Sequence, residues 1–267
     1  MSTIKRVFIY QAPIEIYPST FYWDQYKNFQ ICSKSDLLLL NEMPFDHWHF
    51  EHKNASEARV LQSPSKHIEA IKLLSDTCPF AALIASAPRQ LNHNTLINQS
   101  FLWQQNTNFT LQWGHSKQYF PEEAGFYEST WFKPGSTRYE LFSLGKLKIG
   151  VLLCTDAMFI QWGRFYAKKG AHIIAAPRST TPDVDQRWET LLRALAFTSG
   201  CYVFSSNRYG ASSENLFFGG ESFAFDPKGK PLGRTSVDNP ILYFDIDLSL
   251  SESAKTEYPL YVKDITT

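Results

Sequence analysis

Leu147-Lys148-Ile149-Gly150-Val151-Leu152-Leu153-Cys154-Thr155-Asp156 is a short apolar run that ends on a thiol. A helical pattern follows over Phe159–Lys169, then Gly170 and a second apolar run, His172–Ala176. Runs of this length on either side of a helix read as strand, cysteine turn, helix, strand. That is a βαβ unit with the thiol at the carboxyl end of its first strand, where open α/β sheets present ligands. Free backbone N–H groups and the positive helix end at such a turn can bind an oxyanion, and they are expected to lower the thiol's pKa.

The alternation continues along the chain. Strands are expected at Arg6–Tyr10, Asp36–Asn41, Ala81–Ala87, Asn98–Trp103, Phe109–Trp113, Lys148–Leu153, His172–Ala176, Tyr202–Ser206, Ser222–Phe225 and Ile241–Ile246. Asn106-Thr107-Asn108 and Asp226-Pro227-Lys228-Gly229 read as hairpin turns. Helices fit Pro64–Thr77, Phe159–Lys169 and Pro182–Ser199. The first and third open on a hydroxyl, Ser63 or Thr181, followed by proline in the first helical position. Gly170 and Gly200 suit the left-handed position that closes a helix. The pattern is a layered α/β domain. With no repeat and no Gly/Ser linker, residues 1–267 form one unit, whose tail from about 249 is a candidate for packing on a partner subunit.

Composition narrows the function. The 26 basic and 26 acidic residues cancel, so nothing resembles an electrostatic footprint for nucleic acid or an anionic membrane. No segment approaches the roughly 20 apolar residues a membrane helix needs, and Met1-Ser2-Thr3-Ile4-Lys5-Arg6 leads into a short strand-like run without the longer apolar region expected of a secretion signal. Cys32, Cys78, Cys154 and Cys201 are scattered without a C-x-x-C pair, which argues against a zinc site or disulfide framework and fits a reducing cytoplasm. The aromatic crowd Phe21-Tyr22-Trp23 with Tyr26 and Phe29 reads as a packed helix face.

Two further residues stand at run ends: Glu42, after Leu37-Leu38-Leu39-Leu40-Asn41, and Lys117, which opens Lys117-Gln118-Tyr119-Phe120-Pro121. A thiol attacking an amide or nitrile carbon needs a base, a cation for the developing charge and an activated water. Glu42 could be the base, while Lys117 and the Thr155 backbone N–H could hold the charge. Taken singly, each also reads as an ordinary solvated charge, and an isolated cysteine as a small buried hydrophobe. Cys32, Cys78 and Cys201 are read in that way.

Together the segments resemble the nitrilase superfamily of carbon–nitrogen hydrolases. Asp36-Leu-Leu-Leu-Leu-Asn-Glu42-Met43 is similar to its glutamate motif, with Asn41 in place of proline. Ser116-Lys117-Gln-Tyr-Phe-Pro-Glu-Glu-Ala-Gly-Phe-Tyr-Glu128 resembles the lysine motif, especially its form in carbamoylputrescine amidases. Ile149-Gly-Val-Leu-Leu-Cys154-Thr-Asp156 resembles the cysteine motif. Pro177, Asn207-Arg208 and Asp226-Pro-Lys-Gly229 fall at the remaining landmarks. The resemblance implies a four-layer α-β-β-α sandwich, often paired into a homodimer or higher even homo-oligomer, with no cofactor and no metal. It implies catalytic roles for Glu42, Lys117 and Cys154, and an assisting role for Glu128.

The departures concern the substrate. Thr155 follows the cysteine where many amidases have Tyr or Trp, Ala157-Met158 replaces the paired arginines of D-amino-acid carbamoylases, and Phe197-Thr198-Ser199-Gly200 replaces the usual Ala-Glu-Asn. Arg178 could bind an anionic substrate group bidentately or bridge loops. In His47-Trp48-His49-Phe50-Glu51-His52, alternation puts His47 and His49 on one face, more plausibly lining the pocket mouth than holding a metal. Asp156 is expected to satisfy turn N–H groups. The expected activity is hydrolysis of a small amide or N-carbamoyl compound through a Cys154 thioester; a nitrilase, or a binding protein that has kept the fold, is the alternative.

Overall fold

In the computed structural model, residues 6–14, 16, 36–77, 80–92, 95–105 and 109–263 are described. The aromatic segment around Phe21–Phe29, the Asn106–Asn108 turn, Cys32 and Cys78 lie outside them. The strands are β1 (Arg6–Tyr10), β2 (Asp36–Leu39), β3 (Ala82–Asn92), β4 (Thr95–Gln104), β5 (Leu111–Ser116), β6 (Phe142–Leu144) and β7 (Leu147–Val151). They continue with β8 (Ile173–Ala175), β9 (Tyr202–Ser205), β10 (Tyr209–Ala211), β11 (Phe217–Gly219), β12 (Phe223–Phe225), β13 (Pro231–Arg234) and β14 (Ile241–Asp245). The α-helices are α1 (Glu57–Thr77), α2 (Glu128–Trp131), α3 (Gln161–Lys168), α4 (Asp185–Ser199) and α5 (Leu248–Ala254), with single 3-10 turns at Cys154–Met158 and Pro182–Val184.

Two six-stranded sheets result, ordered β14-β1-β2-β3-β4-β5 and β13-β12-β9-β8-β7-β6, with β10 and β11 as a separate hairpin. In the first, β1, β2 and β3 run parallel, and in the second β7, β8 and β9 do. Every residue of β2 is buried, as expected of a parallel strand covered on both faces. The sheets meet through Val7, Ile9, Leu37, Leu39 and Ile84 on one side and Ile149, Val151, Ile173, Ala175 and Phe204 on the other. On the outer face of the first sheet, Ala70, Ile71 and Leu74 of α1 pack against Phe8, Leu38 and Leu83. On the outer face of the second, Tyr166 of α3 and Trp188, Leu192 and Leu195 of α4 pack against Leu152, Ile174 and Val203. The architecture is therefore a four-layer α-β-β-α sandwich.

The βαβ unit forms as its sequence predicts, and Gly150 shows why helix and sheet approach so closely. A Cβ there would stand 2.5 Å from the Tyr166 ring, whose hydroxyl donates to the Val151 carbonyl. Gly170 and Gly200 take positive φ after their helices. In the Asp226 turn, the Asp226 carboxylate accepts from the Lys228 and Lys230 N–H groups.

Two helix starts differ from expectation. α1 begins seven residues before Pro64, where the Ser56 carbonyl accepts from Arg59 and Val60, and Pro64 lies inside it. Burial of Val60 and Ser63 with His67, whose ring Nδ1 lies 2.9 Å from the Ser63 carbonyl, holds the turn that the proline disfavours. At the other start, Pro182 opens a 3-10 turn and α4 follows from Asp185, with no side-chain cap from Thr181. Extensions of β3 and β4 into a long hairpin, and the short strands β6, β10, β11 and β13, are too brief or too polar for the periodicity to reveal. Among the described residues, no helix is long and apolar enough to cross a membrane.

Candidate active site

The carboxyl ends of β2, β5, β7 and β8 converge. Glu42 lies just beyond β2, Lys117 follows β5 directly, Cys154 comes three residues after β7, and Ser179 and Thr180 follow β8. Glu128 is the first residue of α2. These side chains come from five separate segments, and all except Thr180 are at most 5% exposed.

Lys117 is fully buried. Its Nζ donates to Glu42 Oε1 at 2.9 Å and to Glu128 Oε1 and Oε2 at 2.9 and 2.7 Å. Burial alone would lower the ammonium's pKa, but the charges of Glu128 and Glu42 reverse that and hold it well above the usual lysine value. Glu128 moves the other way for a carboxylate. Burial, reinforced by the charge of Glu42 and only partly opposed by Lys117, raises it to about 7. Glu128 can therefore carry a proton near neutrality, while Lys117 stays charged.

Glu42 is held asymmetrically. Oε1 accepts from Lys117 and, at 2.8 Å, from Asn98 Nδ2, whereas buried Oε2 has no hydrogen-bond partner among the described residues. Its backbone is fixed as firmly. The Glu42 carbonyl accepts from Asn41 Nδ2 at 3.1 Å, Ser179 Oγ at 3.2 Å and Arg208 Nη2 at 3.2 Å. Met43 then turns to φ 46, with its N–H donating to Ser86 Oγ. Asn41, which stands where the family motif has proline, thus supplies a side-chain bond to the same turn.

Cys154 opens its 3-10 turn at φ 46, a left-handed conformation uncommon for a residue with a Cβ. Its N–H donates to the Pro177 carbonyl. The thiol is not poised as the sequence suggests. Burial comes first, and with the charges of Glu42 and Glu128 it outweighs Lys117 and the Ser179 N–H, so the thiol's pKa is raised. The resting group is neutral, and the expected lowering by the turn is corrected. The 3-10 turn is too short for a strong helix end, and Cys154 sits in a site that already holds two carboxylates.

Asp156 does more than satisfy its own turn. Its carboxylate accepts from the Gln118 and Tyr119 N–H groups at 3.1 and 3.0 Å, and His115 Nε2 lies 2.6 Å away. It ties the segment after Lys117 to the cysteine turn.

A pocket of about 250 Å³ opens onto Cys154, Thr155 and Glu128. Pro121, Phe126, Met158, Val184 and Trp188 supply apolar walls, and Ser179, Thr180 and Thr181 supply hydroxyls. At the low end of ligand-pocket volumes, it suits a small substrate. Lys117 and Glu42 stand behind this lining, joined to it through Glu128. The arrangement offers a proton acceptor, a fixed cation and a thiol around one reachable space.

Arg178, His47 and His49 do not line this pocket. Arg178 is buried and spends its guanidinium on Ser205 Oγ, Thr180 Oγ1, Asp185 Oδ1 and the Glu221 carbonyl, so it braces loops. His49 Nε2 lies 2.9 Å from Asp46 Oδ2, and His47 packs edge-on against the His49 ring. Among the described residues, no group of three or more His, Cys, Asp or Glu side chains could hold a metal ion. Asn98 is a supporting residue that the sequence reading does not single out, and Arg208, a landmark there without a role, supports the Glu42 carbonyl. Asn98 is a fully buried polar residue following Leu96-Ile97, and a buried amide needs a partner, here the Glu42 carboxylate.

The carbon-nitrogen hydrolase family model matches residues 20–256. The chain belongs to that family. Among curated relatives, the deaminated glutathione amidase of Mus musculus is 30% identical over 145 residues, covering 53% of this chain and 44% of its own. The omega-amidase NIT2 of the same species is 28% identical over 143 residues, covering 52% and 51%. The chain thus spans about half the length of the curated relatives it matches. A carbon-nitrogen hydrolase from Helicobacter pylori G27 superposes with a TM-score of 0.81 over 96% of this chain and 94% of its own, at 21% identity, and shares the fold.

Proposed function

We propose that this carbon-nitrogen hydrolase cleaves the C–N bond of a small amide or N-carbamoyl compound through a thioester on Cys154. The observation that carries the reading is the asymmetry of Glu42: Oε1 is fixed by Lys117 and Asn98, and buried Oε2 has no hydrogen bond from any described residue, near a neutral thiol. A neutral nucleophile needs a base in the attacking step, and an unengaged carboxylate oxygen is one.

In this mechanism Cys154 Sγ attacks the carbonyl carbon as Glu42 takes the thiol proton. The oxygen's charge is met by Lys117 and the Thr155 N–H. The C–N bond breaks as Glu42 returns the proton to the departing nitrogen, releasing ammonia or an amine. A water then attacks the thioester, again giving its proton to Glu42. The C–S bond breaks, Glu42 passes that proton to Cys154 Sγ, and the acid leaves. Glu128 holds Lys117 and buffers the charge of the buried cluster. The named amidase relatives and the lysine segment's likeness to carbamoylputrescine amidases favour amide or carbamoyl substrates over nitriles.

The whole chain acts as one domain in this reading, in a reducing cytoplasm consistent with the free thiols Cys154 and Cys201. Pairing of copies would use the outer helical layer, where Ile160, Phe165 and Phe197 are exposed. The test is ammonia release by wild type, Cys154→Ala and Glu42→Gln across ω-amides, N-carbamoyl amines, N-carbamoyl amino acids and nitriles. Wild type should act on an amide or carbamoyl compound, and both variants should lose at least about a hundredfold in kcat. Activity surviving in Cys154→Ala, or confined to nitriles, would overturn the proposal.

A further inference from the structure

We propose that the substrate is an α-amino acid carrying a terminal amide or ureido group, its zwitterionic head held between Arg187 and Glu123. This deepens the hydrolase reading above, because it assigns the end of the substrate that does not react.

Beyond Glu128, the charged side chains lining the pocket are Glu123 and Arg187. Both are exposed, and neither side chain makes a hydrogen bond or ion pair with a described residue. They are therefore not joined to each other, and each can accept a ligand group. Met158, Val184 and Trp188 line the same pocket as these two charges and Cys154, and offer apolar surface suited to the methylenes of a side chain. A ligand that reaches from thiol to mouth would carry a carbonyl at one end and opposite charges at the other.

Both charges stand on fixed backbone. Glu123 and Phe126 exchange N–H···O bonds across a tight turn in which Gly125 takes φ 86. That turn is anchored by Trp48 Nε1, which donates to the Gly125 carbonyl, and by the Gly125 N–H, which donates to the Glu51 carbonyl. Arg187 lies in the first turn of α4, whose partial positive charge also favours a carboxylate there.

The surroundings fix the orientation. An adjoining cavity of about 430 Å³ shares Glu123 and adds Glu51 and Asp183, so the ammonium belongs on that side. Glu51 is itself engaged by Ser213 Oγ and lies near His52, which leaves Glu123 and Asp183 as the open acceptors. A ligand bearing only an amine would meet Arg187 with like charge. One bearing only a carboxylate would meet Glu123 and Asp183. A zwitterion satisfies both ends, and a charged head bound this way would be discriminated chiefly by repulsion of the alternatives.

Binding to the Cys154→Ala protein, measured by calorimetry, separates this inference from the chemistry. The ligands are glutamine, 4-aminobutanamide, which lacks the carboxylate, and glutaramate, which lacks the amine; citrulline tests the ureido group. Glutamine or citrulline should bind at least tenfold more tightly than either singly charged compound. Adding Arg187→Ala should weaken glutamine and glutaramate about tenfold but not 4-aminobutanamide, and Glu123→Ala should do the converse. Equal binding of a singly charged compound, no binding of either zwitterion, or indifference to both substitutions would overturn the proposal. Head-group selectivity without ammonia release by wild type would instead sink the hydrolase reading and leave this one standing. Hydrolysis of a neutral amide with no head-group selectivity would do the reverse.

Discussion

At the residue scale the site is defined by what each group cannot do alone. Lys117 has no water to ionise into and remains charged because two carboxylates surround it. Glu128, raised to about 7 by burial, titrates in the range where the enzyme would work. The profile of kcat/KM against pH should therefore show an inflection near 7, and Glu128→Gln should remove it while lowering the plateau. An unchanged profile in the variant would deny Glu128 any part in the proton inventory. The neutral thiol makes a second claim. Cys154 lines a pocket, whereas Cys201 is sealed with its Sγ 3.2 Å from the Ala171 carbonyl. Iodoacetamide with peptide mapping should label Cys154 and spare Cys201 in the native protein. The rate should climb with pH through 9, because burial raises the thiol's pKa. A plateau reached below pH 7.5 would show a preformed thiolate instead.

At the element scale, α1 carries a pH-dependent weakness. His67 is fully buried on it; burial is the dominant influence, only partly offset by the charge of Asp46, and lowers its pKa to about 4. An unfolded histidine takes its proton near 6.5, so the unfolded state binds more protons between those values and stability falls as pH drops from 6.5 to 4. The full loss is about 3 kcal/mol. Urea denaturation at pH 7 and pH 4.5 should show His67→Gln losing less stability than wild type over that interval; equal losses would reassign the effect.

The same helix marks the limit of what sequence reveals. The βαβ unit was legible because Leu147–Val151 and Ile173–Ala175 are wholly apolar apart from Lys148, and a glycine closes the helix between them. The start of α1 was not, since Ser63-Pro64 is a sound local signal that the buried packing of Val60 and His67 overrides. The glutamate, lysine and cysteine segments could be found by their motifs. The contacts that support them could not: Asn98 and Arg208, the second noted only as a landmark, lie 56 and 166 residues from Glu42, and only the folded chain brings them to it. Arg178 misled for a related reason. An arginine at a strand end has the right address for a substrate, but its planar donors were taken by Ser205, Thr180, Asp185 and Glu221.

At the scale of the whole molecule, the site straddles a seam. Glu42, Asn98 and Lys117 belong to the first sheet, and Cys154 and Ser179 to the second. Arg208, just after β9, crosses that seam and donates to the carbonyls of Ile14, Glu42, Met43 and Asp46. Arg208→Met would leave those acceptors short of donors inside the protein, a cost of at least about 3 kcal/mol. Circular dichroism should show a lower Tm, and residual activity should vanish at temperatures where the secondary structure is still intact. Coincident loss of both would mean that the sheets part only when everything unfolds.

The pairing of β1 with β14 has a consequence for how the chain is made. Tyr10 lies opposite Ile241, so β1 has as its neighbour a strand synthesised more than two hundred residues later. At about 5–20 residues per second, a ribosome would leave that flank open for roughly ten to fifty seconds. During this interval Val7, Phe8 and Ile9 present an unpaired backbone on an apolar strand, the kind of edge on which nascent chains stick to one another. The nascent chain is thus open along this strand to edge pairing that the folded protein closes off with β14.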